Sequence, residues 1–166
     1  MKILVPVDSS DAALAPVARL QALARSGIDL EVLLLNVQPR FHRHISQFST
    51  RAARDGLRIE RSRAAMARAI EALSLANIRF RAVAEVGQPA ERIAAIAERE
   101  RVDEVMMGVG RHPEWLRWLN PSIAQGVMSR TDIPVTVLAR GKAGMLERYA
   151  FPAAAAGLAA LLLAAE

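Results

Sequence analysis

Five short apolar runs punctuate this chain, and helical periodicity fills the gaps between them. The runs are residues 2–7 (Lys-Ile-Leu-Val-Pro-Val), 29–37, 78–86, 103–109 and 133–138. Each is too short for a core helix and is bounded by turn or capping residues, which predicts strands. Between them, residues 11–26 place Leu14, Val17, Ala18 and Leu20 at helical spacing, with Pro16 near the start and Ser26-Gly27 at the end. A long helix is predicted over about 50–76, with Ala52, Ile59, Met66, Ile70 and Leu73 on one face. Gly87-Gln88-Pro89 opens a third helix with proline in its first turn, and Ile93, Ala94, Ile96 and Ala97 give it an apolar face. Residues 113–130 complete the set, with a break at Asn120-Pro121. The order β-α-β-α-β-α-β-α-β predicts an α/β three-layer sandwich: a mainly parallel five-stranded sheet with helices on both faces. The 78–86 run opens with apolar/polar alternation, the mark of a strand with a wetter face at a sheet edge.

In such sheets ligands bind beyond the carboxyl ends of the strands, where the strand order reverses. Those ends are Val7-Asp8, Val37, Val86-Gly87 and Gly108-Val109-Gly110. The rest of the sequence narrows the chemistry. There is no cysteine, which removes disulfides and thiolate metal sites. No secretory signal is visible, because Asp8 interrupts the first apolar run, so a cytoplasmic location is expected. Aromatics make up only 4% of residues against 52% apolar, so the core must be aliphatic.

The opening Ile-Leu-Val-Pro-Val-Asp-Ser-Ser, Gly87-Gln88-Pro89 before the third helix, Met107-Gly108 after the fourth strand and the closing Ile133-Pro-Val-Thr-Val137 together resemble the universal stress protein family. The resemblance covers roughly residues 1–140, leaving 141–166 as a C-terminal extension. It implies the strand order 3-2-1-4-5 and homodimers paired through the fifth strand, here Ile133, Val135 and Val137. ATP-binding members carry Gly, two residues, Gly, nine residues, then Gly followed by Ser or Thr. Glycines in such a loop let the backbone approach phosphates, and amides at a helix start point at the anion. At those positions this chain has Gly108, Arg111, Pro121 and Ser122, with Gly110 one place early. Two of the four match, and proline offers no amide hydrogen. The resemblance thus implies an adenine-nucleotide site drawn from Pro6, Val7, Asp8, Val37, Met107, Gly108, Gly110, Arg111, Ser122 and Ile123, with Asp8 near the ribose or adenine and Val37 beside the base. ATP or another adenine nucleotide is the cofactor class it implies. The competing reading is that Gly108 and Gly110 only make a tight strand-to-helix turn.

Other features have bland and sharp readings. Asp8-Ser9-Ser10-Asp11 is a helix-capping cluster before it is a nucleophile cluster. No Gly-x-Ser-x-Gly elbow, His-x-Gly-His or Ser-Gly-Gly-x-Asp-Ser loop occurs, so no enzymatic activity is expected. His42 and His44, one residue apart, could bind a metal, but no third ligand is evident nearby and His112 is the only other histidine, so a solvated loop is expected. Trp115 and Trp118, three apart, could stack on a base, but packing is the commoner use of that spacing. Residues 40–70 hold eight arginines against two acids, Asp55 and Glu60. Arg51, Arg54, Arg58, Arg61 and Arg68 line the far side of the long helix, either as a solvated face or as a surface for a polyanion. Nucleic acid is not the expected partner. The tail, 151–166, carries a single charge, Glu166. It is short for a bilayer span, and packing on a protein surface is expected ahead of peripheral membrane contact. The function expected from the whole is a non-catalytic stress-response or regulatory binding protein, acting as a homodimer and with an unnamed protein partner. ATP binding through the 108–122 loop is one alternative. A polyanion- or membrane-associated interaction protein is the other.

Overall fold

The computed structural model describes residues 1–39, 51–109 and 123–139. In chain order the elements are β1 (Lys2–Pro6), a 3-10 turn (Asp11–Ala13), α1 (Leu14–Arg25), β2 (Glu31–Gln38), α2 (Arg51–Leu75), β3 (Arg79–Val86), α3 (Pro89–Arg99), β4 (Glu104–Val109), α4 (Ile123–Met128) and β5 (Val135–Ala139). The strands form one sheet in the order β3-β2-β1-β4-β5, and every neighbouring pair is parallel. The expected architecture and strand order are therefore both observed, with β3 at an edge.

The sheet is covered on both faces, and the period-two geometry of strands shows how. Ile3, Val5, Val32, Leu34 and Met106 point to one side, where Val17 and Leu20 of α1 and Met66, Ala69 and Leu73 of α2 meet them. Leu4, Leu33, Leu35, Val105 and Met107 point to the other, against Ile93, Ile96 and Ala97 of α3 and Ala124 and Val127 of α4. The stretches Ile3–Val5 of β1 and Val32–Leu35 of β2 read as unbroken apolar runs for this reason. Pro16 falls in the first turn of α1, where an amide hydrogen has no helical partner to lose. Gly27 follows that helix at φ +84°, the left-handed position that favours glycine.

One expectation about α2 needs correction. Met66 and Leu73 are buried and Ile70 packs beside them, but Ile59 is 52% exposed. The buried face is instead completed by Ser62 and Ala69. Length explains the difference. The helix has 25 residues, about 37 Å at 1.5 Å per residue. The strands it covers, β2 and β3, have 8 residues each, about 26 Å. A helix crossing between parallel strands runs back against their direction, so its early turns project beyond the carboxyl edge of the sheet. Leu57 and Ile59 lie in that overhang, which a helical wheel drawn without a partner surface cannot reveal.

Candidate functional site

The helix α2 builds one wall of a cavity of about 490 Å³ at the carboxyl ends of β1 and β2. The β1–α1 turn supplies a second wall through Val7 to Ser10, Ala13 and Leu14. The end of β2 supplies the third through Asn36 to Pro39. From α2 come Arg61, Ala64, Ala65, Arg68 and Ala69. The lining is thus an apolar surface of small and branched side chains with a few polar groups placed around it, the composition of a small-molecule site.

The polar groups are held in specific ways. Asn36 is 2% exposed; its Nδ2 donates to the Val7 carbonyl at 2.8 Å, tying the end of β2 to the end of β1. Its Oδ1 accepts from Gln38 Nε2 at 2.7 Å. Both polar atoms of the buried amide are therefore partnered in fixing the cavity floor, as burial requires. The Asp8 carboxylate accepts from the Ser10 backbone N–H at 2.9 Å and from its hydroxyl at 2.6 Å. This Asx turn refines the capping expectation: Ser10 occupies the cap position without a capping side-chain bond, and Asp8 organises the turn. Arg68 pairs with Asp11, which draws α2 toward the 3-10 turn. Arg61 has no hydrogen-bond or ion-pair partner among the described residues.

The residues implied by the family resemblance divide into three groups. Val7, Asp8 and Val37 line the cavity. Pro6 ends β1, Met107 is buried in the core beneath α3 and α4, and Ile123 is the exposed first residue of α4; none of these lines the cavity. Gly110, Arg111, Pro121 and Ser122 lie outside the described residues, as do His42, His44, His112, Trp115, Trp118 and the tail. Gly108 stands apart. A Cβ at this position would run into the Ala12 carbonyl group of the 3-10 turn. The end of β4 and the turn after β1 touch backbone to backbone, so glycine is demanded by packing whether or not a phosphate ever approaches.

Asn36, Gln38, Arg61, Arg68 and the alanines between those arginines were not singled out from sequence as one site. Two signals were present. Asn36 is a lone polar residue in the run Leu33-Leu34-Leu35-Asn36-Val37, and Arg61 and Arg68 bracket Ala64-Ala65 two helical turns apart. The shifted carboxylates lie at the other end of the sheet. Arg79, hydrogen-bonded to Asp29 at 2.8 Å, holds that carboxyl below its usual range and is itself raised. Burial pushes Glu100 up, but the Lys2 hydrogen bond and the charges of Arg81 and Lys2, with a further bond from Arg99, outweigh it and leave the group lowered. These pairs stitch the amino edge of the sheet and form no part of the cavity.

Against known proteins, the family model described as Universal stress protein family matches residues 1–139. A search of curated proteins matches none of them. Among solved structures, the chain is similar to hypothetical protein MJ0577, with a TM-score of 0.68 and 27% identity over 85% of this chain and 96% of that one. A universal stress protein in complex with cAMP aligns with a TM-score of 0.62 at 19% identity, over 83% and 96% of the two chains. A universal stress protein family protein from Arabidopsis thaliana with AMP bound aligns with a TM-score of 0.62 at 18% identity, over 86% and 93%. The match of the family model over nearly the whole described structure, on the sheet order that the resemblance implied, places this chain in the universal stress protein family.

Proposed function

We propose that this chain is a non-catalytic regulatory binding protein whose ligand is a small adenine nucleotide of low charge. The observation that carries the reading is the cavity bounded by Val7–Ser10, Asn36–Pro39 and α2. Its apolar surface suits a planar base, and its polar rim offers Asp8, Gln38 and Arg61 for the remainder of the ligand. Relatives of the same fold have been solved with AMP bound and in complex with cAMP, which supports this ligand class. The sequence argues against strong ATP binding, since Arg111 and Pro121 stand where ATP-binding members have glycine. Recognition rather than turnover would be the mechanism: an occupied cavity ties the β1–α1 turn to α2 and so alters the surface that a partner meets.

A homodimer through β5 completes the proposal. β5 is the edge strand beside β4, and Val137 is 41% exposed there. Ile133, just before the strand, and Val135 pack partly against the domain's own core, so Val137 is the residue of the three most available to a second copy. Native mass spectrometry of the protein purified from cells tests both parts at once. The expected spectrum is a dimer, carrying a co-purified adenine nucleotide or gaining one when AMP or cyclic AMP is added. A monomer overturns the dimer. A protein that takes up neither nucleotide overturns the ligand reading.

A further inference from the structure

We infer that Arg61 holds the ligand's negative charge, so that the anion lies toward α2 and the site prefers a nucleoside monophosphate to the neutral nucleoside while gaining nothing from the further phosphates of a triphosphate. The inference rests on the proposed reading of the cavity as a nucleotide site and assigns its charge selectivity to one residue. Among the described residues, three charged side chains line the cavity: Asp8, Arg61 and Arg68. Asp8 is engaged by the Ser10 amide and hydroxyl. Arg68 is engaged by Asp11. Arg61 alone of the three has no partner among the described residues.

The spacing along α2 turns this into a polarity. Arg61 and Arg68 are two turns apart, about 10.5 Å along the axis, and Ala64 and Ala65 between them leave the helix surface low. The Arg68 end of this strip is neutralised by Asp11 and the Arg61 end is not. Because α2 runs back against the strands, Arg61 also stands farther out, toward the mouth of the cavity. A ligand with an apolar body therefore lies along Ala64 and Ala65, and its anion meets the guanidinium at the outer end. A guanidinium presents a planar fork of donors to phosphate oxygens, which favours a bidentate contact. Among the described residues, a triphosphate would bring several negative charges to a wall with one unengaged cation, and Asp8 lies on the same rim, so further phosphates gain little there.

Titration calorimetry of the full chain with adenosine, AMP and ATP tests this, using Arg61→Ala, Arg61→Lys and, as a control, Arg63→Ala. Arg63 is exposed on the same helix and does not line the cavity. AMP is expected to bind about tenfold tighter than adenosine, and no weaker than ATP. Arg61→Ala should weaken AMP about tenfold, leave adenosine unchanged and so bring the two together. Arg61→Lys should keep part of the preference, and Arg63→Ala all of it. If adenosine and AMP bind the native protein equally, or if Arg61→Ala leaves their ratio intact, the assignment of Arg61 is overturned while the cavity reading stands. An ATP preference that survives Arg61→Ala overturns it in favour of the 108–122 segment. If none of the three binds, the cavity reading falls and the Arg61 assignment with it.

Discussion

Replacing Gly108 with alanine separates a packing role from a phosphate role at the one family glycine that the structure describes. The added methyl would meet the carbonyl carbon of Ala12 at 2.5 Å and the amide nitrogen of Ala13 at 3.1 Å, besides colliding with the Ala12 oxygen. These are backbone atoms and cannot rotate aside. Relief requires the Asp11–Ala13 turn to move off the end of β4, disturbing Ala12 and Ala13, both buried. Overpacking of this kind costs about 1–3 kcal/mol, and a rigid obstacle places Gly108→Ala at the upper end. For a chain of 166 residues, about 3 kcal/mol lowers the melting temperature by roughly 6–12 °C. The assay is thermal unfolding followed by circular dichroism without ligand, with Gly56→Ala as the matched control. A Cβ at Gly56 meets nothing within 4 Å, and the residue lies inside α2, so the same change there should stabilise by about 0.5–1 kcal/mol. If Gly108→Ala melts with the native protein and only loses nucleotide, the packing argument is refuted and the glycine belongs to the ligand.

Three further outcomes follow from individual side chains. Ser62 is 2% exposed on the core face of α2 and its hydroxyl has no hydrogen-bond partner among the described residues, so Ser62→Ala should stabilise by about 1 kcal/mol in urea unfolding; a loss of stability would mean the hydroxyl is satisfied. Asn36→Ala removes the donor to the Val7 carbonyl and should cost about 1–3 kcal/mol in the same assay while weakening AMP, because the cavity floor loses its tie. Glu100 is lowered in the folded protein, so its contribution is present above the ordinary glutamate range, about 4.3, and is lost as the pH falls through the folded value. Glu100→Gln should therefore melt below the native protein at neutral pH, and the gap should close on acidification; a gap that is constant with pH would assign the effect to something other than charge.

The parts of the fold legible in the sequence were those set by local periodicity. The apolar run through Leu33-Leu34-Leu35 required a strand covered on both faces, and the alternation at Arg79-Phe80-Arg81 marked an edge, where Arg79 and Arg81 now pair with Asp29 and Glu100. Strand order was not available from periodicity and came through the family resemblance. Of the site, Val7, Asp8 and Val37 were legible because strand ends are where open parallel sheets bind ligands. Arg61 and Arg68 were visible only as members of a solvated stripe, since their approach to the cavity depends on how far a 25-residue helix overruns its sheet. That stripe also contains engaged members, for Arg58 bonds Asp55 at 3.1 Å and Arg68 pairs with Asp11. The exposure of Ile59 has the same origin: a wheel gives angle around a helix but not where the partner surface stops.

The central claim is that the ligand occupies the cavity between the β1 and β2 ends and α2, with its anion at Arg61. A crystal structure of the full chain with AMP tests it most directly. The account predicts the base against Val7 and the Ala64–Ala65 surface, with phosphate oxygens on the Arg61 guanidinium. AMP seated instead with its phosphate on residues 108–122, and Arg61 turned to solvent, would contradict it.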